Sequence, residues 1–255
     1  MLADNTPQWI PLLWLWPFFA ITTLAGALAH GRRKHGDAMS RAGMPLGFLA
    51  TPDEPIDLPD MHLCGCRGWY PYTFLFDPFT KTSNVLRGTS AGFETIIFDY
   101  SSPSYEWHGH KLFFFDPRPI NQTVAAFHLP GANMPDFQMR PTPTTITETV
   151  RYAFSSTKYL TFQSHPEFMQ RYLATGADLA SAELLFTPGV LSFFEGHEIG
   201  LLNVEGRSDW IIVYQPGNLV KPSSLGTFID AATQVAAGLL GLVPPSLFPR
   251  TARER

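Results

Sequence analysis

Twenty consecutive residues, Ile10 to Ala29 (IPLLWLWPFFAITTLAGALA), contain no charged side chain and no Asn, Gln or His. A helix of that length rises roughly 30 Å, the hydrocarbon thickness of a bilayer. Ala27-Leu28-Ala29 has the small-x-small form of a leader cleavage site, yet the residues before the run include Asp4 and no Lys or Arg. The run is also longer than the roughly 7–15 apolar residues of a leader, and a basic flank follows it at once. We therefore read 10–29 as a transmembrane helix, with Pro11 harmless in its first turn and Pro17 bending it. Trp9 sits where an interfacial aromatic belongs, and Arg32, Arg33 and Lys34 form the opposite, basic interface. With Arg41 beyond them, these residues place the C-terminal side in the cytoplasm by the positive-inside rule. The reading is a single-pass inner-membrane protein, with 1–9 a short extracytoplasmic N-terminus.

The basic juxtamembrane linker, 30–45, leads into a cytoplasmic domain over 46–243, and 244–255 is a flexible tail. That domain is long enough for one large core or two lobes, near 46–154 and 155–243. Of 22 acidic and 18 basic residues, Asp4 and Asp37 on one side and Arg32, Arg33, Lys34 and Arg41 on the other precede it, leaving 20 acidic against 14 basic. A nucleic-acid partner needs a basic face, so that class is excluded. Only 16% of residues are charged while 21 are Phe, so part of the surface is expected to be covered by the bilayer or by a protein partner. Cys64 and Cys66 stand alone as a Cys-x-Cys, at most half a zinc site, and are read as reduced thiols.

Short extended pieces are expected around Pro71 and Pro78. Asn84–Ser90 and Thr95–Ser101 flank a turn around Ala91–Glu94 and read as a hairpin. In its second strand Ile96, Phe98 and Tyr100 share one face, and Ile97, Asp99 and Ser101 the other. Leu112–Phe115, Gln122–Phe127, Phe137–Arg140 and Tyr159–Gln163 read as strands, and Thr145–Phe154 as a short helix. Asp178 is an N-cap candidate for a helix that Pro188 interrupts. Leu201–Glu205 and Trp210–Gln215, around Gly206, Ser208 and Asp209, read as a second hairpin. Pro222 opens a helix whose Leu225, Phe228, Ile229, Ala232, Val235, Ala236 and Leu239 keep the helical period, with Asp230 and Gln234 facing out. The fold class is thus α+β: one N-terminal transmembrane helix, then a mainly antiparallel-sheet domain with two or three packed helices.

The run GTSAGFETIIFDY, then NQTV, PDF, SHPEF and LLFTPGVLSFF, resembles an uncharacterised family of bacterial membrane-anchored proteins. Its pattern of Gly-x-x-x-Gly, Phe-Asp-Tyr and Gln-Thr-Val falls here on Gly88, Gly92, Phe98, Asp99, Tyr100, Gln122, Thr123 and Val124, over a likeness from Leu46 to about Leu242. A second aromatic that often follows Phe-Asp-Tyr is replaced by Ser101 and Ser102. The family has no assigned activity, so the resemblance implies topology and fold and adds no chemistry.

Chemistry-bearing patterns are few. Gly88-Thr89-Ser90-Ala91-Gly92 has the form of a nucleophile elbow, which requires strand, sharp turn and helix; the strand-like FETIIFDY that follows makes it a hairpin turn. His108 and His110, with Asp116 and His128, are the residue types of a metal site, but Gly109 between them and the sequence SYEWHGHK suggest an exposed loop. Glu195-Gly196-His197-Glu198 lacks the second His of a zinc protease motif. Asp99, a carboxylate within an apolar strand, is the candidate of most interest. No catalytic residue, cofactor or metal is assigned. The sequence supports a membrane-tethered cytoplasmic interaction or scaffold module, bound to the bilayer and to a protein partner. The alternatives are an enzyme, a hydrolase using Asp99 with a histidine such as His108 or His128, and a subunit of a membrane complex packed through Gly26 and Ala27.

Overall fold

Strands dominate the domain, and successive side chains along its central strands enter apolar clusters on opposite faces. The computed structural model describes residues 31, 34–52, 54–59, 81–103, 119–142, 158–197 and 202–242. Eight strands form one sheet: β1 (Leu49–Ala50), β2 (Lys81–Ser90), β3 (Phe93–Pro103), β4 (Pro119–His128), β5 (Met134–Pro141), β6 (Tyr172–Gly176), β7 (Asn203–Ser208) and β8 (Trp210–Tyr214). Their order is β1-β2-β3-β4-β8-β7-β5-β6, and every pair is antiparallel. The β7-β8 hairpin therefore lies between β4 and β5, and a single sheet runs through both 46–154 and 155–243.

The helices are α1 (34–43), α2 (Pro166–Arg171), α3 (Leu179–Leu185), α4 (Pro188–Gly196) and α5 (Leu225–Leu239), with short 3-10 turns at Met44–Leu46 and Pro222–Ser224. The mixed α+β class with an antiparallel sheet holds, with five helices among the described residues rather than two or three. Three local reasons account for the excess. Residues 34–43, read as linker, are helical, and Met39 among them is only 1% exposed. The segment at SHPEF starts a helix because Pro166 occupies a first-turn position, where its absent N–H is not needed. The helix at Asp178 divides in two at Pro188, with Asp178 capping α3 and the Thr187 hydroxyl accepting from Val190 N–H at the start of α4. The Ser181 hydroxyl and the Ala180 N–H hold the Asp178 carboxyl below its usual range, so this cap weakens as pH falls through that depressed range.

Two further expectations change. Tyr159–Gln163 is not a strand: its link to β6 is the Leu160 N–H to Ala174 O bond of 2.8 Å, before the chain turns at Ser164 into α2. Gly206 lies inside β7 rather than in the turn, because the Phe137 ring occupies the space a side chain would need there. The turn itself is at Asp209, with Ser208 at φ 55°. The expected strand at Leu112–Phe115, the helix at Thr145–Phe154, the pieces at Pro71 and Pro78, Cys64 and Cys66, and the span 10–29 lie outside the described residues. Among the described residues no helix is long and apolar enough to cross a membrane.

The helices cover one face of the sheet. There Ile97, Ala125, Phe127, Ile211, Val213, Val204 and Met139 pack with Met39, Phe194, Leu225, Ile229, Ala232, Val235 and Leu239 in one apolar core. On the opposite face Val85, Ile96, Phe98, Val124, Ala126, Ile212 and Tyr214 form a second cluster, against which Ile56 and Leu58 pack.

The period of α5 generates a direct test. Phe228 is buried and Asp230 exposed, as the spacing requires. Phe228→Ala should cost about 3 kcal/mol, lowering the melting temperature of the full chain in detergent by roughly 6–12 °C. Asp230→Ala should stay within about 0.5 kcal/mol of the parent. Equal shifts would contradict the docked helix.

Candidate functional site

The bulge in β2 builds the site around Asp99. Between Ser83 and Leu86 the pairing with β3 slips, and Asn84 takes a left-handed backbone at φ 54°, a region Asn tolerates better than most residues. Its amide is thereby placed against Asp99, with Asn84 Nδ2 donating to Oδ2 at 2.8 Å. From β4, the Thr123 hydroxyl donates to Oδ1 at 2.7 Å and accepts from the Val220 N–H at 2.9 Å. From α1, His35 Nε2 donates to Oδ2 at 3.1 Å. The carboxylate is 6% exposed and accepts from three elements at once. Gly36 permits this approach, since a methyl group there would overlap Asn84 Oδ1.

The remaining motif positions are spread along the same three strands. A Cβ at Gly88 would lie 2.8 Å from Gly47 O and from the Phe48 ring, so the chain leaving α1 presses on β2 where no side chain intervenes. Gly92 turns the hairpin at φ 86°. Gln122 is fully buried and its Oε1 accepts from Gly217 N–H at 3.3 Å, and Asn218 O accepts from Thr123 N–H at 3.0 Å. Ser90 ends β2 inside the hairpin, with Oγ 2.7 Å from Thr233 Oγ1, so its setting is that of a strand end and not of an elbow.

A second cluster lies at the other end of the strands, on the opposite face. His128 Nδ1 donates to Glu94 Oε2 at 2.9 Å, and the His128 ring stacks on Trp210 at 4.5 Å and 23°. Arg87 Nη2 donates to Pro55 O at 2.9 Å; its Nε is 2.9 Å from Glu54 Oε2, an ion-pair distance at which the N–H is not aligned for a hydrogen bond. With Asp57 these residues line an open cleft of about 520 Å³. Both pairs are half in water and contribute little stability.

The sequence reading missed a third polar group. Glu205, 2% exposed, accepts from Gln138 Nε2 at 3.0 Å and from the Tyr214 hydroxyl at 2.6 Å. Beside it Arg140 Nη2 donates to the Tyr159 hydroxyl at 2.6 Å. Asn203, Glu205 and Arg207 alternate as a solvent face would, so nothing local in the sequence signals that two of them are buried. His35 was missed for a different reason, because KHGDAMSRAG has too few large apolar residues to announce a packed helix.

Of the residues singled out from sequence, Asp99 meets a histidine, and it is His35. His128 is committed to Glu94 instead. Lys34 is exposed on α1. Trp9, Arg32, Arg33, His108, His110 and Asp116 lie outside the described residues. Among the described residues no three His, Cys, Asp or Glu side chains converge as metal ligands.

No protein-family model matches the chain, and no curated protein matches it. A solved structure that is similar is the crystal structure of the mycobacterial trehalose monomycolate transport factor A, TtfA, at 15% identity and TM-score 0.48 over 84% of this chain and 98% of that one.

The clamp and the cleft predict different costs. Asp99→Ala strands the Thr123 and Asn84 donors and should lower unfolding stability by about 1.5–3 kcal/mol, while Glu94→Ala should cost at most about 1 kcal/mol. Denaturant titration of the full chain in detergent checks this, and a larger loss at Glu94 would reverse the assignment.

Proposed function

We propose that this chain is a single-pass, membrane-tethered interaction module whose sheet domain is held at the bilayer in a fixed attitude. The observation that carries the proposal is the docking of α1. Helical residues 34–43 follow the apolar run and its Arg32–Arg33 flank in the sequence, bury Met39 in the domain core, and join β3 through His35 and Asp99. A tether that is itself part of the core does not behave as a flexible leash. In this reading 10–29 is the span, Trp9 and the Arg32, Arg33 and Lys34 cluster are its interfaces, and the domain is cytoplasmic. The likeness to membrane-anchored proteins of unassigned activity points to the same topology, and four of its motif positions, Gly88, Asp99, Gln122 and Thr123, lie where α1, its exit and the 217–220 loop meet the sheet.

The partners are the bilayer and a protein. Met44, Leu46 and Leu49 are exposed by 64%, 42% and 66% where α1 gives way to the sheet edge at β1, and apolar side chains gathered on a surface mark an interaction site. The hydrolase reading loses its support at Asp99, because three donors from the protein's own elements already occupy both of its oxygens.

Reporter fusions test the topology. Fused after Arg255, a cytoplasm-active reporter should function and a reporter active only after export should be silent, with the chain remaining in alkali-washed membranes. The reverse reporter pattern, or release by alkali, would overturn the proposal.

A further inference from the structure

Among the described residues, exposed lysines stand at the strand ends nearest Asp99, and most of the surface carboxylates, with Arg87 and Arg207 among them, at the far ends. Lys81 opens β2 and pairs in register with Ser101, which pairs with Asn121 at the start of β4. Thr123, two residues on, holds the neighbouring loop through the Asn218 O and Val220 N–H bonds, which brings Lys221 to the same rim. Lys34 lies on α1 one residue before His35. All three lysines are exposed, and none is paired with a carboxylate among the described residues. Between them the loop at Pro216–Leu219 is exposed and uncharged, and Leu219 presents 41% of its surface. Among the described residues the acidic groups at this end are Asp37, exposed on α1, and Asp99, buried in its clamp. At the opposite end lie Glu54, Asp57, Glu94 and Asp209.

The chain outside the described residues says what this rim faces. The apolar run ends at Ala29, six residues before His35, a distance of about 9 Å as helix and about 21 Å fully extended. A domain otherwise rich in acid, in a chain of net charge −4, thus turns its lysines toward the point where the chain leaves the apolar run. Juxtamembrane lysines are attracted to anionic headgroups within about one Debye length, roughly 8–10 Å at moderate salt. We propose that the rim of Lys34, Lys81, Lys221 and Leu219 is a second membrane-contact surface that seats the domain on anionic lipid. This deepens the tethered reading and rests on it. The acidic cleft with His128 and Trp210 then points away from the bilayer.

Amine labelling of the full chain, reconstituted in phosphatidylglycerol-rich or pure phosphatidylcholine vesicles, tests the seat. A neutral acylating reagent should modify Lys81 and Lys221 about fivefold more slowly in the anionic vesicles, following the strength of attraction per lysine. Lys158, on the far side of the sheet beside β6, should react equally in both. At about 1 M salt, where screening acts within about 3 Å, the difference should disappear. Equal rates for Lys81 and Lys221 in both lipids, or slowing confined to Lys34, would overturn the seat while leaving the tether in place. Failure of the chain to float with either vesicle would overturn both.

Discussion

The carboxylate of Asp99 is the point on which the domain's relation to its N-terminal segment depends. It receives a hydroxyl from β4, an amide from the bulge of β2 and an imidazole from α1, and the same hydroxyl fastens the loop that leads to α5. A carboxylate buried among donors is costly to strip, because each donor left behind loses its partner without regaining water. Met39 and His35 hold α1 against the sheet, one through the apolar core and the other through the carboxylate.

The sheet converts this local clamp into a long-range arrangement. Strands β2, β3, β4 and β8 run from the clamped end to the cleft, so whatever orients α1 also orients Glu94, His128 and Trp210. The apolar layers on both faces keep the strands from sliding, since a one-residue slip would exchange Ile97 for Ile96 and place Asp99 in the wrong layer.

Much of this framework was legible before any coordinates. The alternation in FETIIFDY assigned Ile97 and Asp99 to one face, and the 3.6-residue period of α5 assigned Phe228 to the core, because both signals are local and strong. The short helix at Pro166 and the irregular 158–162 were not legible, since short apolar runs satisfy strand and helix templates alike. Asp99 stood out as a carboxylate among apolar neighbours, yet its partners come from residues 35, 84 and 123, and such long-range convergence leaves no periodic trace. Glu205 is the plainest case. Its alternation says solvent, and only the tertiary contacts of Gln138 and Tyr214 put it inside.

The central claim is that tether and sheet form one body. Hydrogen exchange of the full chain in anionic vesicles tests it most directly, by comparing amides 36–43 with those of β4. The account predicts that α1 amides exchange as slowly as the core strand, to within about tenfold, because both open only with the domain. Exchange of α1 at the rate of a free, fraying helix while β4 stays protected would contradict it.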